Sequence, residues 1–279
     1  MISVQSLTFQ YEGSSEAALH DISLQIKEGG FFGIIGPAGA GKTTLARAVS
    51  GIVPHHYRGD FYGSVTVDGM DTVDHKLTDI SRVVGMVFQD VESQIISSVV
   101  EDEILYGLEN FGLPHEEIEE RLVFALKEVG IEELRHRSIA SLSGGQRQKV
   151  AIASVIALRP KVLMLDEPTG ELDPGSSRQV FQLLKKLNEK YGLTIIVIEQ
   201  KIMLLSEFAR DLVVMSEGGI FCHGPVREVL ARADELLEIG VNCPRVASLS
   251  QRLFDQGLGK TPVVVNVDEA EAMIRGLIS

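Results

Sequence analysis

Hydrophobic and polar residues alternate from Met1 to Tyr11, the pattern of a strand with one covered face, and we read it as an edge strand. Downstream the pattern changes. Phe31 to Ile35, Val162 to Leu165 and Thr194 to Ile198 are unbroken apolar runs, which suit strands covered on both faces of a sheet. Val83 to Phe88 is a further apolar stretch, and positions 212–215 read as one more strand. Between about 90 and 158 the spacing turns helical. Leu122, Ala125, Leu126 and Val129 recur at three- and four-residue steps, and Val150 to Ala157 continues a helix. Strand–helix units on both sides of a helical stretch predict an α/β core over residues 1–224 with a helical subdomain at about 90–158. Its βαβ crossovers are taken as parallel and right-handed from the general rule.

Gly218 and Gly219, followed by Gly224-Pro225, mark the end of that core. Beyond it, Val226, Val229, Leu230, Ala233, Leu236 and Leu237 form one helical stripe, and Val246, Leu249 and Leu253 a second. Pro262 opens a β-like run to Val267. Asp268 with Glu271 is expected to cap a last helix carrying Ala270, Met273, Ile274 and Leu277. Residues 225–279 thus read as a small C-terminal helical or α/β extension. A piece of about 55 residues is marginal alone, so at least one stripe is expected to be shared between subunits as a dimerisation element.

The composition narrows the field. At 279 residues and 44% hydrophobic, the chain can bury the core of one large domain and a smaller one. No run approaches the ~18 apolar residues that span a bilayer, and no signal peptide is visible. A net charge of −13 argues against nucleic acid and against docking on anionic lipid. It suits an acidic surface that receives basic groups from a protein partner. Cys222, Cys243 and the seven histidines lack the spacing of a metal or redox site, and the thiols read as reduced in a cytosolic protein.

The candidate chemistry lies in two motifs. G-P-A-G-A-G-K-T, Gly36 to Thr43, matches the phosphate-binding pattern at Gly36, Gly41, Lys42 and Thr43. Glycines let backbone N–H groups turn towards phosphate oxygens, with Pro37, Ala38, Gly39 and Ala40 completing the loop. Lys42 supplies charge for the β- and γ-phosphates, and the Thr43 hydroxyl can hold Mg²⁺. Thr44 to Ser50 looks helical, which places the phosphates at a helix N-terminus. The second motif, L-S-G-G-Q at Leu142 to Gln146, starts another helix. Ser143 and Gln146 form a capping box, while Gly144 and Gly145 leave room for an anion to approach closely.

This pair of motifs resembles the ATP-binding cassette (ABC) ATPases, which implies a P-loop, RecA-like core. It also implies ATP held between two cassettes, with Ser143, Gly144, Gly145 and Gln146 completing the partner's site. The other family motifs follow in order. Asp166 matches the aspartate that holds Mg²⁺ through water, and Glu167 the glutamate that polarises the attacking water. Gln89 matches the Q-loop glutamine that senses Mg²⁺ and the γ-phosphate, Tyr11 the aromatic that stacks on adenine, and Asp173 the D-loop aspartate. Glu171 stands where the family usually has a small residue. Position 200, where the switch histidine is expected, holds Gln200. Glutamine can donate a hydrogen bond but cannot carry charge or shuttle a proton as imidazole does. Hydrolysis at this chain's own site is therefore expected to be slowed, which favours pairing with a different cassette.

Val87 to Gly107, Gly107 to Pro114 and the tail from Gly240 to Leu253 resemble the ATPases of energy-coupling-factor (ECF) importers of vitamins, vitamin precursors and metal ions. That likeness implies a second ATPase subunit, a membrane coupling subunit and a substrate-binding membrane subunit. It places the chain at the cytoplasmic face of the cell membrane. Arginine-bearing coupling helices are expected beside the Q-loop, where Asp90, Glu92, Glu101, Asp102 and Glu103 crowd. Other readings fit less well. A non-transport ABC ATPase would bring coiled coils, zinc cysteines or two cassettes in one chain. A P-loop kinase or GTPase would not need L-S-G-G-Q, and the chain has no N-K-x-D guanine motif.

Overall fold

The structure, a computed structural model, describes residues 1–258 and 263–278. An antiparallel sheet is built from β1 (Ile2–Tyr11), β2 (Leu19–Ile26), β4 (Gly59–Val67) and β5 (Met70–Asp71), in the order β2-β1-β4-β5. The second sheet contains β3 (Phe31–Ile35), β6 (Val84–Val87), β7 (Val162–Asp166), β8 (Thr194–Ile198), β9 (Asp211–Ser216) and β10 (Gly219–Pro225). Its order is β10-β9-β3-β8-β7-β6, parallel throughout except for β10 at one edge. β1 lies between β2 and β4 and is not an edge strand. Alternation reports that one face is covered, and it carries no information about the strand's two hydrogen-bonding sides.

Helices α1 (Lys42–Val49), α2 (Ile52–His55) and α3 (Leu77–Ile80) belong to the first third of the chain. The helical subdomain follows with α4 (Val91–Gln94), α5 (Val100–Asn110), α6 (His115–Val129) and α7 (Gly144–Ile156). The core resumes with α8 (Pro174–Tyr191) and α9 (Ile202–Phe208), and the extension carries α10 (Val226–Leu230), α11 (Ala233–Glu238), α12 (Arg245–Asp255) and α13 (Val267–Ile278).

The parallel sheet divides two cores, and the pleat decides which residue enters which. Leu163, Leu165, Ile195 and Val197 pack with the helical subdomain and α8. Val162, Met164, Ile196 and Ile198 pack on the other side with α1 and the antiparallel sheet. Coverage on both faces is why these strands read as unbroken apolar runs. The subdomain is tied to the core by charge as well. Glu128, near the end of α6, has a side chain only 6% exposed and pairs with Lys186 at 3.2 Å and Lys190 at 2.8 Å on α8. Burial alone would raise this carboxyl, but Lys190, Lys186 and the Tyr191 hydroxyl bring it down to about 2.

The extension departs from expectation in four places. The first stripe is broken into α10 and α11, with Leu237 61% exposed. α12 buries Ala247 and Ser250, not Leu249, because the Ser250 hydroxyl accepts from the Val264 N–H at 3.0 Å. Pro262 lies outside the described residues, and Val263 to Val265 are buried without forming a strand. The cap of α13 is the reciprocal pair Asn266 and Glu269, not Asp268 and Glu271: the Glu269 N–H donates to Asn266 Oδ1 at 2.8 Å, and Asn266 Nδ2 donates back to Glu269 Oε1. Glu271 pairs instead with Arg275, four residues on.

Candidate active site

The phosphate loop runs from the end of β3 into α1 across Gly36 to Gly41. Two of its glycines are sterically required. Gly41 has φ +90°, and a Cβ there would lie 2.6 Å from the Ala18 carbonyl oxygen; a Cβ on Gly36 would run into the Met215 carbonyl. Lys42 is buried, and its Nζ donates to the carbonyls of Gly36 and Pro37, both at 2.8 Å. Burial lowers its pKa, against the pull of Glu167 and Asp166. Tyr11, at the end of β1, shares a hydrogen bond with the Thr44 hydroxyl at 3.1 Å and accepts one from Arg47 at 3.3 Å.

At the C-terminal end of β7, Asp166 is 2% exposed, and its Oδ1 is buried without a hydrogen-bond partner. Burial raises its pKa, while the Thr43 hydroxyl opposes the rise. An acceptor this isolated, beside a hydroxyl and a phosphate loop, fits a hydrated divalent cation. Among the described residues, no group of three or more His, Cys, Asp or Glu side chains could hold a metal by itself. Mg²⁺ held with a nucleotide needs only one or two protein oxygens, so the donor set agrees.

Glu167 has φ +46°, a left-handed conformation unusual for a side chain of its size. Its N–H is fixed to the Ile198 carbonyl at 2.9 Å. Both carboxylate oxygens accept from amides. Gln89 Nε2 donates to Oε2 at 3.0 Å and Gln200 Nε2 to Oε1 at 2.7 Å. Three sequence-predicted residues from three different strand ends thus meet at one carboxylate.

Ser143, Gly144, Gly145 and Gln146 lie elsewhere, at the start of α7. The capping box is present: Gln146 N–H donates to Ser143 Oγ at 3.3 Å, and Ser143 N–H donates to Gln146 Oε1 at 2.9 Å. Asp173 caps α8, accepting from the N–H groups of Gly175 and Ser176. The hydrogen bonds from Ser176 hold its carboxyl below the usual range. Gly145 faces Ser176, where an added Cβ would come within 3.2 Å, so these two helix starts pack together. No side-chain hydrogen bond among the described residues joins this set to the phosphate loop. One chain therefore carries the predicted site residues as two separate groups, one around the 36–43 loop and one at the start of α7.

The family pattern described as ABC transporter matches residues 19–170. The chain belongs to the ABC transporter family. A putative ABC transporter ATP-binding protein of Pyrococcus horikoshii is 38% identical over 273 residues, 98% of this chain and 96% of that protein. The energy-coupling factor transporter ATP-binding protein EcfA1 of Caldanaerobacter subterraneus is also 38% identical over 273 residues, covering 96% of each. Among solved structures, cbiO1 of Clostridium perfringens, part of the ABC transporter complex cbiONQ, superposes with a TM-score of 0.76. It is 33% identical and is covered over 97% of its length by 89% of this chain. The α/β architecture is accordingly that of a P-loop ABC ATPase cassette.

In this cassette the acidic residues near the Q-loop are mostly engaged internally. Asp90 caps α4 through the Ser93 N–H, and Glu92 pairs with Arg147 at 3.0 Å. Glu101 accepts from Arg135 and His136, and buried Glu103 accepts the N–H groups of Ile96 and Ser97. Asp102, exposed, is the one of the five with no such partner among the described residues. These carboxylates hold their own loop in place, while Asp90, Glu92 and Asp102 remain exposed at its surface. Sequence reasoning also missed Gln94, which clamps the Q-loop by accepting from the Phe88 N–H at 2.9 Å and donating to the Met86 carbonyl at 3.2 Å.

Proposed function

We propose that this cassette is the ATP-hydrolysing, energy-coupling subunit of an ECF-type importer for a vitamin, a vitamin precursor or a metal ion. The observation that carries hydrolysis is the convergence of Gln89 and Gln200 on Glu167, next to Asp166 and near Lys42. The ECF reading rests on likeness to EcfA1 and cbiO1 over nearly the whole chain.

In this reading the loop from Gly36 through Pro37, Ala38, Gly39, Ala40 and Gly41 turns its N–H groups to the phosphates of ATP, together with Lys42 and Thr44. Tyr11 stacks on adenine. Thr43, Gln89 and Asp166 would hold Mg²⁺, which supplies charge neutralisation at the phosphates when bound. Lys42 exchanges its two carbonyl partners for phosphate oxygens. Glu167 orients the attacking water, and its left-handed backbone and two amide donors fix where it points. Gln200 holds that carboxylate but cannot become charged, so turnover at this site is slow. Ser143, Gly144, Gly145, Gln146 and Asp173 complete the site of a second, different cassette. The membrane coupling subunit docks beside the Q-loop, at the outer rim of a cavity of about 810 Å³ whose lining includes Phe88, Asp90 and Ser93 and reaches Thr43 and Asp166 of the nucleotide site. The chain would then work at the cytoplasmic face of the membrane; no helix among its described residues is long and apolar enough to cross one.

Isolation of the chain from native membranes tests this reading. A second ATPase and two membrane proteins are expected with it, and ATP hydrolysis that falls in Glu167→Gln by the share this chain's own site contributes. A chain that copurifies with membrane subunits of an exporter supports the second reading, an ATPase of another ABC class. The name of the Pyrococcus relative is compatible with either reading.

A further inference from the structure

The end of β8 leads into three consecutive polar residues, and each grips a different point of the loop between β7 and α8. Gln200 donates to Glu167 at the start of the loop, and Lys201 Nζ reaches the Gly170 carbonyl at 3.4 Å. Glu199 holds the middle. Its Oε1 accepts from the Thr169 N–H at 3.0 Å and from the Thr169 hydroxyl at 2.5 Å. Both residues are out of water, Thr169 fully buried and Glu199 2% exposed.

The anchor extends in both directions. The Glu199 N–H is fixed to the Ile34 carbonyl at 3.1 Å, on the strand that feeds the phosphate loop. The Thr169 carbonyl accepts from the Leu172 N–H at 3.2 Å, in the turn that delivers Asp173 to the start of α8. Burial pushes the Glu199 carboxyl up, the two Thr169 bonds oppose it, and Glu167 adds repulsion. No phosphate-binding or water-orienting role uses this buried acid.

We propose that Glu199 is a positioning residue. Through Thr169 it holds the 167–173 loop in register with β3 and β8, so that Glu167 in this chain's site and Asp173 beside the signature are set together. The inference rests on the ATPase reading above.

Two measurements test it. The first is ATP hydrolysis by the intact assembly carrying Glu199→Ala, Glu199→Gln or Thr169→Val. Glu199→Ala is expected to lower kcat about tenfold, with KM for ATP changed less than about twofold because the phosphate loop is untouched. Glu199→Gln, whose amide oxygen can accept the same two donors, restores most of the rate. Thr169→Val, which loses one of the two bonds, falls between. Unchanged kcat in Glu199→Ala overturns the proposal, as does Glu199→Gln as slow as Glu199→Ala, or a parallel loss of kcat and ATP affinity. If Glu199→Ala does not fold, Thr169→Val decides, and unchanged kcat there is the overturning result. The second measurement is amide exchange over residues 170–173 in the nucleotide-free chain. About tenfold faster exchange is expected in Glu199→Ala but not in Glu199→Gln, and equal exchange in all three overturns the proposal. Because this needs no ATP, a wild-type chain without turnover would count against the ATPase reading and leave the positioning role separately decided.

Discussion

Replacing Glu128 by glutamine removes the charge that ties α6 to α8 while keeping the size of the side chain. In the folded chain this carboxyl is drawn from its ordinary 4.5 to about 2, which sets a ceiling of about 3 kcal/mol on its contribution. Lys186 and Lys190 are half exposed, at 50% and 51%, so solvent screening reduces the expected loss to about 1–2 kcal/mol at pH 7. The sign follows from the direction of the shift. A carboxyl whose folded pKa lies below its unfolded one stabilises fully above about 4.5, and the contribution fades as the pH falls towards 2. The stability gap between wild type and Glu128→Gln should therefore be constant from pH 7 to about 5 and shrink by roughly half near pH 3. The chain has no tryptophan, so urea unfolding is best followed by circular dichroism at each pH. A gap that does not change between pH 7 and pH 3, or a glutamine variant more stable at pH 7, would refute the reasoning.

Three further outcomes follow from the site. Gln200→His should raise turnover of the complete assembly severalfold or more, with KM for ATP unchanged; equal turnover would show that the amide serves as well as imidazole. Gly41→Ala places a methyl 2.6 Å from the Ala18 carbonyl at φ +90° and should cost about 1–3 kcal/mol, read as a lower melting temperature together with weaker ATP binding. Asp102→Lys should weaken copurification of membrane partners without lowering the melting temperature, whereas Glu103→Lys should lower it, because Glu103 is buried and accepts two backbone N–H groups. Equal behaviour of the two variants would count against the distinction between a docking and a structural carboxylate.

How far the sequence reached depended on whether a feature is local. The buried strands β3, β7 and β8 announce themselves because both faces of each are covered. The capping box at Ser143 and Gln146 is likewise local, since its partners are three residues apart. The reciprocal cap at Asn266 and Glu269 escaped notice because Asp268 and Glu271, two residues later, fit the same spacing. Pairings that depend on distant chain segments were not legible. Nothing in the local pattern says that Glu199 meets Thr169 thirty residues away, or that Glu101 meets Arg135. The extension misled for a physical reason: Leu249, Ile274 and Leu277 are helical in spacing yet remain about 40% exposed in a single chain.

The left-handed backbone at Glu167 restricts which residues that position can tolerate over evolutionary time. β-branched side chains are excluded there by steric clash alone, and glycine or asparagine would relax the loop. Selection for a stabler fold therefore pulls this residue away from glutamate, while the proposed water-orienting role would hold it in place. A cassette released from the demand for hydrolysis should drift at this position first, gaining stability as it loses its catalyst.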